Sequence, residues 1–259
     1  MPLALNSLTA VLLVAMAGGA APVPPPPPGS PPSVDQARSP EALALLKRMC
    51  DRIQQARTFT FRGRTALELP VAGGALGTFF NDASVAVRRP DGFAGSRSGD
   101  LPEFRFAYDG KSMTAFAPGS GRWGTTAAPP TLDAMLVAAD AQGGINLPFD
   151  ELLVADPYAA LTAGLTGAVL AGQASVGGKR VEHLVLSSPG LQVELWIDPA
   201  EALPARELVI YTDHPARPHF LVEYSEWKLD QPLPASTFAL PRPAGAAQVE
   251  FGAAASAYR

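Results

Sequence analysis

Residues 103–126 read EFRFAYDGKSMTAFAPGSGRWGTT, and this stretch decides the fold. Phe104, Phe106 and Tyr108 alternate with Glu103, Arg105 and Ala107, the period-2 pattern of a strand with one buried face. Asp109-Gly110 follows at once, a pair suited to the positive φ angles of a tight hairpin. Residues 111–117 return, Pro118-Gly119-Ser120-Gly121 turns the chain again, and residues 122–126 make a third pass. Connections this short cannot carry a parallel crossover, so the chain here is an antiparallel meander.

The same period extends outward. Upstream, Thr58-Phe59-Thr60-Phe61 opens a strand, residues 76–89 form a long one, and residues 92–98 form another. Before them, Ser39-Pro40-Glu41 supplies an N-cap, a first-turn proline and a first-turn acid. Leu43, Leu46, Met49, Cys50 and Ile53 then recur at helical spacing, which predicts an amphipathic helix over 40–56 with Cys50 beside its buried stripe. Downstream the meander is interrupted. Thr131-Leu132-Asp133 starts a helix with Leu132, Met135, Leu136 and Ala139 on one face, stopped by Gly143-Gly144. Residues 148–165 hold one or two short helical pieces, and strands resume at 166–176, 179–187, 191–197, 205–213 and 218–228. Ten or eleven strands in one antiparallel sheet must curl. The predicted fold is therefore α+β: a curved antiparallel half-barrel with a few helices covering its concave face.

Composition bounds the rest. The chain has 259 residues, 47% of them hydrophobic, and a net charge of −4, which argues against neutralising nucleic-acid phosphates. Its single cysteine excludes an internal disulfide framework. Proline is the unusual count: 8 of the 27 fall in APVPPPPPGSPPSV, residues 21–34. That run makes residues 21–38 a semi-rigid spacer, with a proline-motif ligand as the alternative. Residues 1–20 read as a signal peptide, with an uncharged apolar core and small residues Ala17-Gly18-Gly19-Ala20 at its end, although a basic start is missing. No cysteine follows for lipid attachment, so the chain is expected in the periplasm, touching a membrane only through an uncleaved signal. A single domain is expected over 39–251, followed by a flexible small-residue tail over 252–259.

The search for chemistry yields structural readings. Gly119-Ser120-Gly121-Arg122-Trp123-Gly124 matches GxGxxG, but a strand flanks it on both sides where dinucleotide binding needs a helix start. His183 lies in a strand; His214 and His219 share one loop and lack the third ligand a zinc site wants. Ser96-Arg97-Ser98-Gly99 is not a nucleophile elbow. Asp150-Glu151 and Asp156-Pro157 sit where helix starts favour them. Arg88-Arg89-Pro90-Asp91 reads as a solvated strand end, or else as a contact for anionic headgroups or an acidic partner. No catalytic residue, metal site or cofactor is expected; a hydrolase is the third and weakest reading.

The blocks PEALALLKRM, VAVRRPDGFAGSRSGD, FAYDGKSMTAFAPGSGRW, LPFDELLVADPYAAL, HLVLSSPGLQVELWID, PARELVIYT and YSEWKLD resemble a bacterial family of predicted periplasmic proteins of unknown function, over about residues 40–251. That family is similar in architecture to the LolA/LolB lipoprotein-carrier fold, to mycobacterial lipid-carrying lipoproteins and to the sensor RseB. The resemblance implies a half-barrel around an apolar cavity. On that basis Phe59, Phe61, Phe104, Phe106, Leu195, Ile197, Phe220 and Val222 are expected to form one concave wall, completed by Met113 or Phe116 and by Met135, Leu136, Leu152 and Leu153 from the helices. The same residues equally describe a filled core. Trp196 and Trp227, on the opposite parity of their strands, are expected to face outward or under covering loops, as partner contacts or half-buried packing. The expected function is non-enzymatic binding of a hydrophobic ligand, a lipid or an acylated protein. The alternative is an envelope sensor that contacts a protein partner.

Overall fold

The computed structural model describes residues 38–258, so the expected signal peptide and nearly all of the spacer lie outside the described residues. Helix α1 (Pro40–Gln55) starts as its sequence dictates: Ser39 Oγ accepts from the Ala42 N–H at 3.2 Å and proline occupies the first turn. Its buried stripe is Ala42, Leu45, Leu46, Met49, Cys50 and Ile53. Burial pushes the Cys50 thiol up to about 12, the behaviour of a small core hydrophobe.

Among the described residues twelve strands form one sheet. The first meander is β1 (Thr58–Pro70), β2 (Leu76–Arg88), β3 (Gly92–Gly99), β4 (Phe104–Tyr108), β5 (Ser112–Ala117) and β6 (Arg122–Ala127). The second is β7 (Gly167–Val176), β8 (Lys179–Ser188), β9 (Leu191–Asp198), β10 (Leu203–Tyr211) and β11 (His219–Leu229). The two join where β1 pairs with β11, from Phe59 opposite Leu229 to Leu67 opposite Phe220. A short β12 (Ala247–Gln248), invisible to periodicity at two residues, adds in parallel to β6. The sheet is open, with β12 and β7 at its edges.

This order explains where the helices go. To pass from β6 near one edge to β7 at the other, the chain must cross the sheet, and it does so with α2 (Leu132–Gly143), a 3-10 turn at Asp150–Leu152 and α3 (Pro157–Thr162). Together with α1 these cover one face, here called the inner face, and their buried apolar residues join the strands in one core.

Three expectations change. The tail is a docked element: α4 (Phe251–Ala255) continues into a 3-10 turn at Ser256–Tyr258, with Phe251, Ala254 and Ala255 buried. A run of alanine reads as a frayed end only if nothing receives it. Here the small side chains let the helix sit closely on α2, β5 and β6. Trp227 turns inward, because a bulge at Glu226 (φ +54°) adds a residue to β11 and reverses the alternation. Its ring lies 4.7 Å from that of Phe61, and Nε1 donates to Pro204 O at 3.0 Å. Arg89 is not a solvated strand end: its guanidinium donates to Leu152, Leu153 and Val154 carbonyls at 2.8–2.9 Å, pinning the inserted segment.

Candidate functional site

The inner face is best understood as rows running across the strands. One row is Phe59, Val87, Phe93, Tyr108 and Met113, each opposite the next, and every member is buried. The next is Phe61, Val85, Gly95, Phe106 and Ala115; the one after that begins Gly63, Ala83, Arg97 and Phe104. Side-chain volume therefore drops at Gly63 on β1, Ala83 on β2 and Gly95 on β3. Where the first row meets the helices the space is filled; where glycine and alanine replace aromatics it is not.

The result is a cavity of about 510 Å³, within the range of small-molecule sites. Ala83, Gly95, Phe93, Phe104 and Phe106 line it from the sheet, Phe149 from the inserted segment and Phe220 from β11. A Cβ on Gly95 would stand 2.9 Å from the Phe93 ring, so that glycine keeps the floor open. The lining surface is mainly apolar, with Asn81, Arg97, Asp140 and Asn146 among its polar members. Arg97 stands in the wall, its Nη1 donating to Tyr258 O and its Nη2 to Pro102 O at 3.1 Å each, with the Tyr258 ring 4.9 Å beneath. Tyr258 in turn lies 5.2 Å from Phe104 and donates its hydroxyl to Asn146 O, so the C-terminal turn closes one side of the cavity.

The structure divides the expected wall. Phe104, Phe106 and Phe220 line the cavity. Phe59, Phe61, Met113, Met135, Leu152, Leu153, Leu195, Ile197 and Val222 are buried in filled core, with Leu136 half-buried against it. Phe116 belongs elsewhere: it has the opposite parity to Met113 and Ala115 and pairs with Trp123 and Arg105 on the outer face. Ala83 and Gly95 were missed, because a search for apolar bulk passes over the small residues that leave room. Trp196 sits on the outer face, stacked on His183 at 4.2 Å.

A second feature lies in the core beside the cavity. Glu207 of β10 occupies an inner row between Val222 and Leu195 and is only 1% exposed. Tyr224 donates its hydroxyl to Glu207 Oε2 at 2.5 Å. Glu151, 5% exposed, comes down on it from the inserted segment, and its Oε1 has no hydrogen-bond partner among the described residues. Burial is the main force raising all these acids above the ordinary carboxylate range. It pushes Glu207 up to about 7 and Asp150 to about 6, and Glu151 rises further under the charges of Glu207 and Asp150. Neither Glu151 nor Glu207 lines the cavity.

The remaining motifs resolve into scaffold. The GxGxxG match is the β5–β6 turn. Its last glycine, Gly124, receives α4, since a Cβ there would stand 2.9 Å from Phe251 Cα. His183 contacts Glu194 at 2.8 Å, His219 contacts Glu68 at 3.3 Å, and His214 accepts from the Ala216 N–H. Among the described residues no cluster of three His, Cys, Asp or Glu side chains is placed to hold a metal ion.

The fold is thus an open antiparallel sheet with helices on one face and an apolar hollow between them. Residues 42–252 match the family described as predicted periplasmic protein (DUF2092), and the chain belongs to that family, which places it in the periplasm. Among solved structures it is similar to lipoprotein LppX from Mycobacterium tuberculosis, at 14% identity and TM-score 0.47, covering 76% of this chain and 98% of that one. It is similar to MucB at 13% identity and TM-score 0.45, covering 82% of this chain and 66% of MucB. LprF from Mycobacterium bovis stands at 14% identity and TM-score 0.44, covering 80% and 99%. No curated protein sequence matches the chain.

Proposed function

We propose that this protein binds a hydrophobic molecule, a lipid or the acyl part of an acylated protein, in the cavity between β1–β4 and the inserted helices, and that it does so without catalysis. The observation that carries the reading is the cavity itself: a hollow of about 510 Å³ with aromatic walls, beside a core that is otherwise filled. Empty apolar space costs packing energy, roughly 24 cal/mol for each Å³ left void. A chain able to fill one half of its inner face with Phe59, Phe61 and Met113 has the means to fill the other. An apolar guest offsets that cost, with affinity scaling as the apolar area it buries, at about 25 cal/mol per Å².

Phe104, Phe106 and Phe220 are the expected contacts, joined by Phe93 and Phe149, with Ala83 and Gly95 setting the available depth. The test is solvent extraction of the protein purified from periplasm, followed by mass spectrometry. A co-purifying lipid near one per chain supports the reading. A delipidated protein that takes up no fatty acid, yet captures a periplasmic protein through another surface, overturns it in favour of a sensor.

A further inference from the structure

The outer face of the sheet has a cover of its own. β11 lies beside β1 and β12 beside β6, so residues 230–246 have to cross the first meander, and they cross it on the outer face. Three contacts pin this strap. Asp230 Oδ1 accepts from the Arg57 N–H at 2.8 Å, and Leu240 O accepts from Trp123 Nε1 at 2.9 Å. Between them the buried Phe238 ring lies 4.6 Å from the Arg88 guanidinium. Along its edge the strap leaves a groove of about 420 Å³ over β1–β4, with Thr237, Ala239 and Leu240 as one wall. The groove backs onto the inner cavity, and Gly95 borders both.

The rows of the outer face show what this groove presents. Arg62 of β1, Ser84 of β2, Ser96 of β3 and Arg105 of β4 stand opposite one another in turn. Two neighbouring hydroxyls therefore have a guanidinium at either end. At about 4.8 Å per strand the two arginine Cα atoms are ~14 Å apart, close enough for both side chains to lean in over the serines. The adjoining row, Thr60, Ala86, Ala94 and Ala107, is small and keeps the floor low beside the strap. Lys228 of β11, opposite Thr60, adds a third cation at the Arg62 end. These charges are poorly balanced. Among the described residues exposed Arg62 bonds only the neutral Ser84 Oγ, at 2.6 Å, and exposed Lys228 has no ion pair. Arg105 is held by Glu103 at 2.8 Å, and Glu226 is the one acid on the lining.

We infer that this outer groove binds a phosphate monoester, its phosphate seated on Ser84 and Ser96 between Arg62 and Arg105, with Lys228 at its edge. A tetrahedral dianion offers oxygens at once to the hydroxyls beneath it and to the cations on both sides, whereas a carboxylate has two oxygens in one plane. Charge-assisted bonds from arginine to phosphate are roughly twice as strong as neutral ones, and a groove open to water needs that strength. A nucleic acid is a poor fit, because the chain carries a net charge of −4 and the strap walls the groove. About 420 Å³ leaves room for a small polyol body beside the phosphate. The ester is either soluble or part of a lipid headgroup, and the inference rests on no assumption about the inner cavity's ligand.

The test titrates the isotopically labelled full chain with glycerol phosphate at low salt and follows amide NMR shifts. Saturable shifts are expected at Arg62, Ser84, Ser96 and Thr237, and glycerol alone produces none. Arg62→Gln weakens the affinity about tenfold, as does Ser84→Ala with Ser96→Ala, while urea midpoints stay unchanged. Arg64→Gln, one row along and 4.0 Å from Asp82, leaves the affinity as it was. Cosedimentation then reads the source of the phosphate. Capture by phosphatidylcholine vesicles only when they contain phosphatidic acid assigns it to a lipid; binding of glycerol phosphate without such capture assigns it to a soluble ester. Shifts that do not saturate, or glycerate binding as tightly as glycerol phosphate, overturn the inference. So does an Arg64→Gln loss equal to that of Arg62→Gln, which would mean a diffuse charge effect and no seat.

Discussion

Ala83 is the residue on which the cavity turns. It sits opposite Gly63 on β1 and Arg97 on β3, and its methyl group is all that occupies that part of the wall. Ala83→Leu therefore lowers affinity for a fatty acid at least tenfold while leaving the urea midpoint unchanged or raised, since filling a void is stabilising. Phe61 gives the opposite result. It packs edge-on against Phe149 and Tyr224 at 5.3 and 5.2 Å in filled core, so Phe61→Ala costs about 3–5 kcal/mol in urea unfolding. The Glu151–Glu207 pair makes a second residue-scale prediction. Its setting is uniformly anionic or neutral: Cys50 on α1, Asp150 beside Glu151, Tyr211 on β10 and Tyr224 on β11. Folded Glu207 keeps its proton up to about 7, against 4.5 for an ordinary glutamate, so the folded chain binds more protons between those values. The stability due to protonation is complete below about 4.5 and is lost as pH rises through about 7. Urea midpoints should thus fall from about pH 5 to about pH 8. Glu207→Gln, which retains an acceptor for Tyr224, flattens that fall; an equally steep one in the variant contradicts the assignment.

Among the elements, α4, like the two-residue β12, is one that sequence periodicity could not reveal. Strand alternation exposed nearly every strand, because Phe104-Arg105-Phe106 or Leu191 to Ile197 each carry their burial pattern locally. The capping residues Ser39 and Thr131 likewise announced α1 and α2. What alternation cannot show is contact between distant segments. Residues 251–255 gain their helix from α2, β5 and β6, and Trp227 turns inward through a bulge that a count of odd and even positions passes over. The cavity was half legible for the same reason: Phe104, Phe106 and Phe220 stood out by bulk, while the hollow depends on a register that sets Gly63 opposite Ala83 with Gly95 in the adjoining row. Close approach at α4 is directly testable. Gly124→Val would press on the Phe251 and Glu250 backbone, so it should cost about 1–3 kcal/mol and expose the C-terminal segment to limited proteolysis. Unchanged protease resistance would mean that α4 seats without that contact.

For the whole molecule, the division of labour follows from topology. The two meanders meet at β1–β11, and the segment that crosses from β6 to β7 covers the inner face, leaving a hollow over β1–β4 beside a filled core. On the proposed function, ligand affinity and fold stability are carried by different rows of one sheet. A bound guest adds stability by mass action, about 2.7 kcal/mol at a concentration a hundred times its Kd. The most direct test of the central claim is a titration of the delipidated protein with a dansylated fatty acid, with unlabelled palmitate as competitor. Saturation at one site per chain, with blue-shifted emission that palmitate reverses and Ala83→Leu abolishes, is the predicted result. Emission that never saturates, or saturates identically in Ala83→Leu, would contradict it.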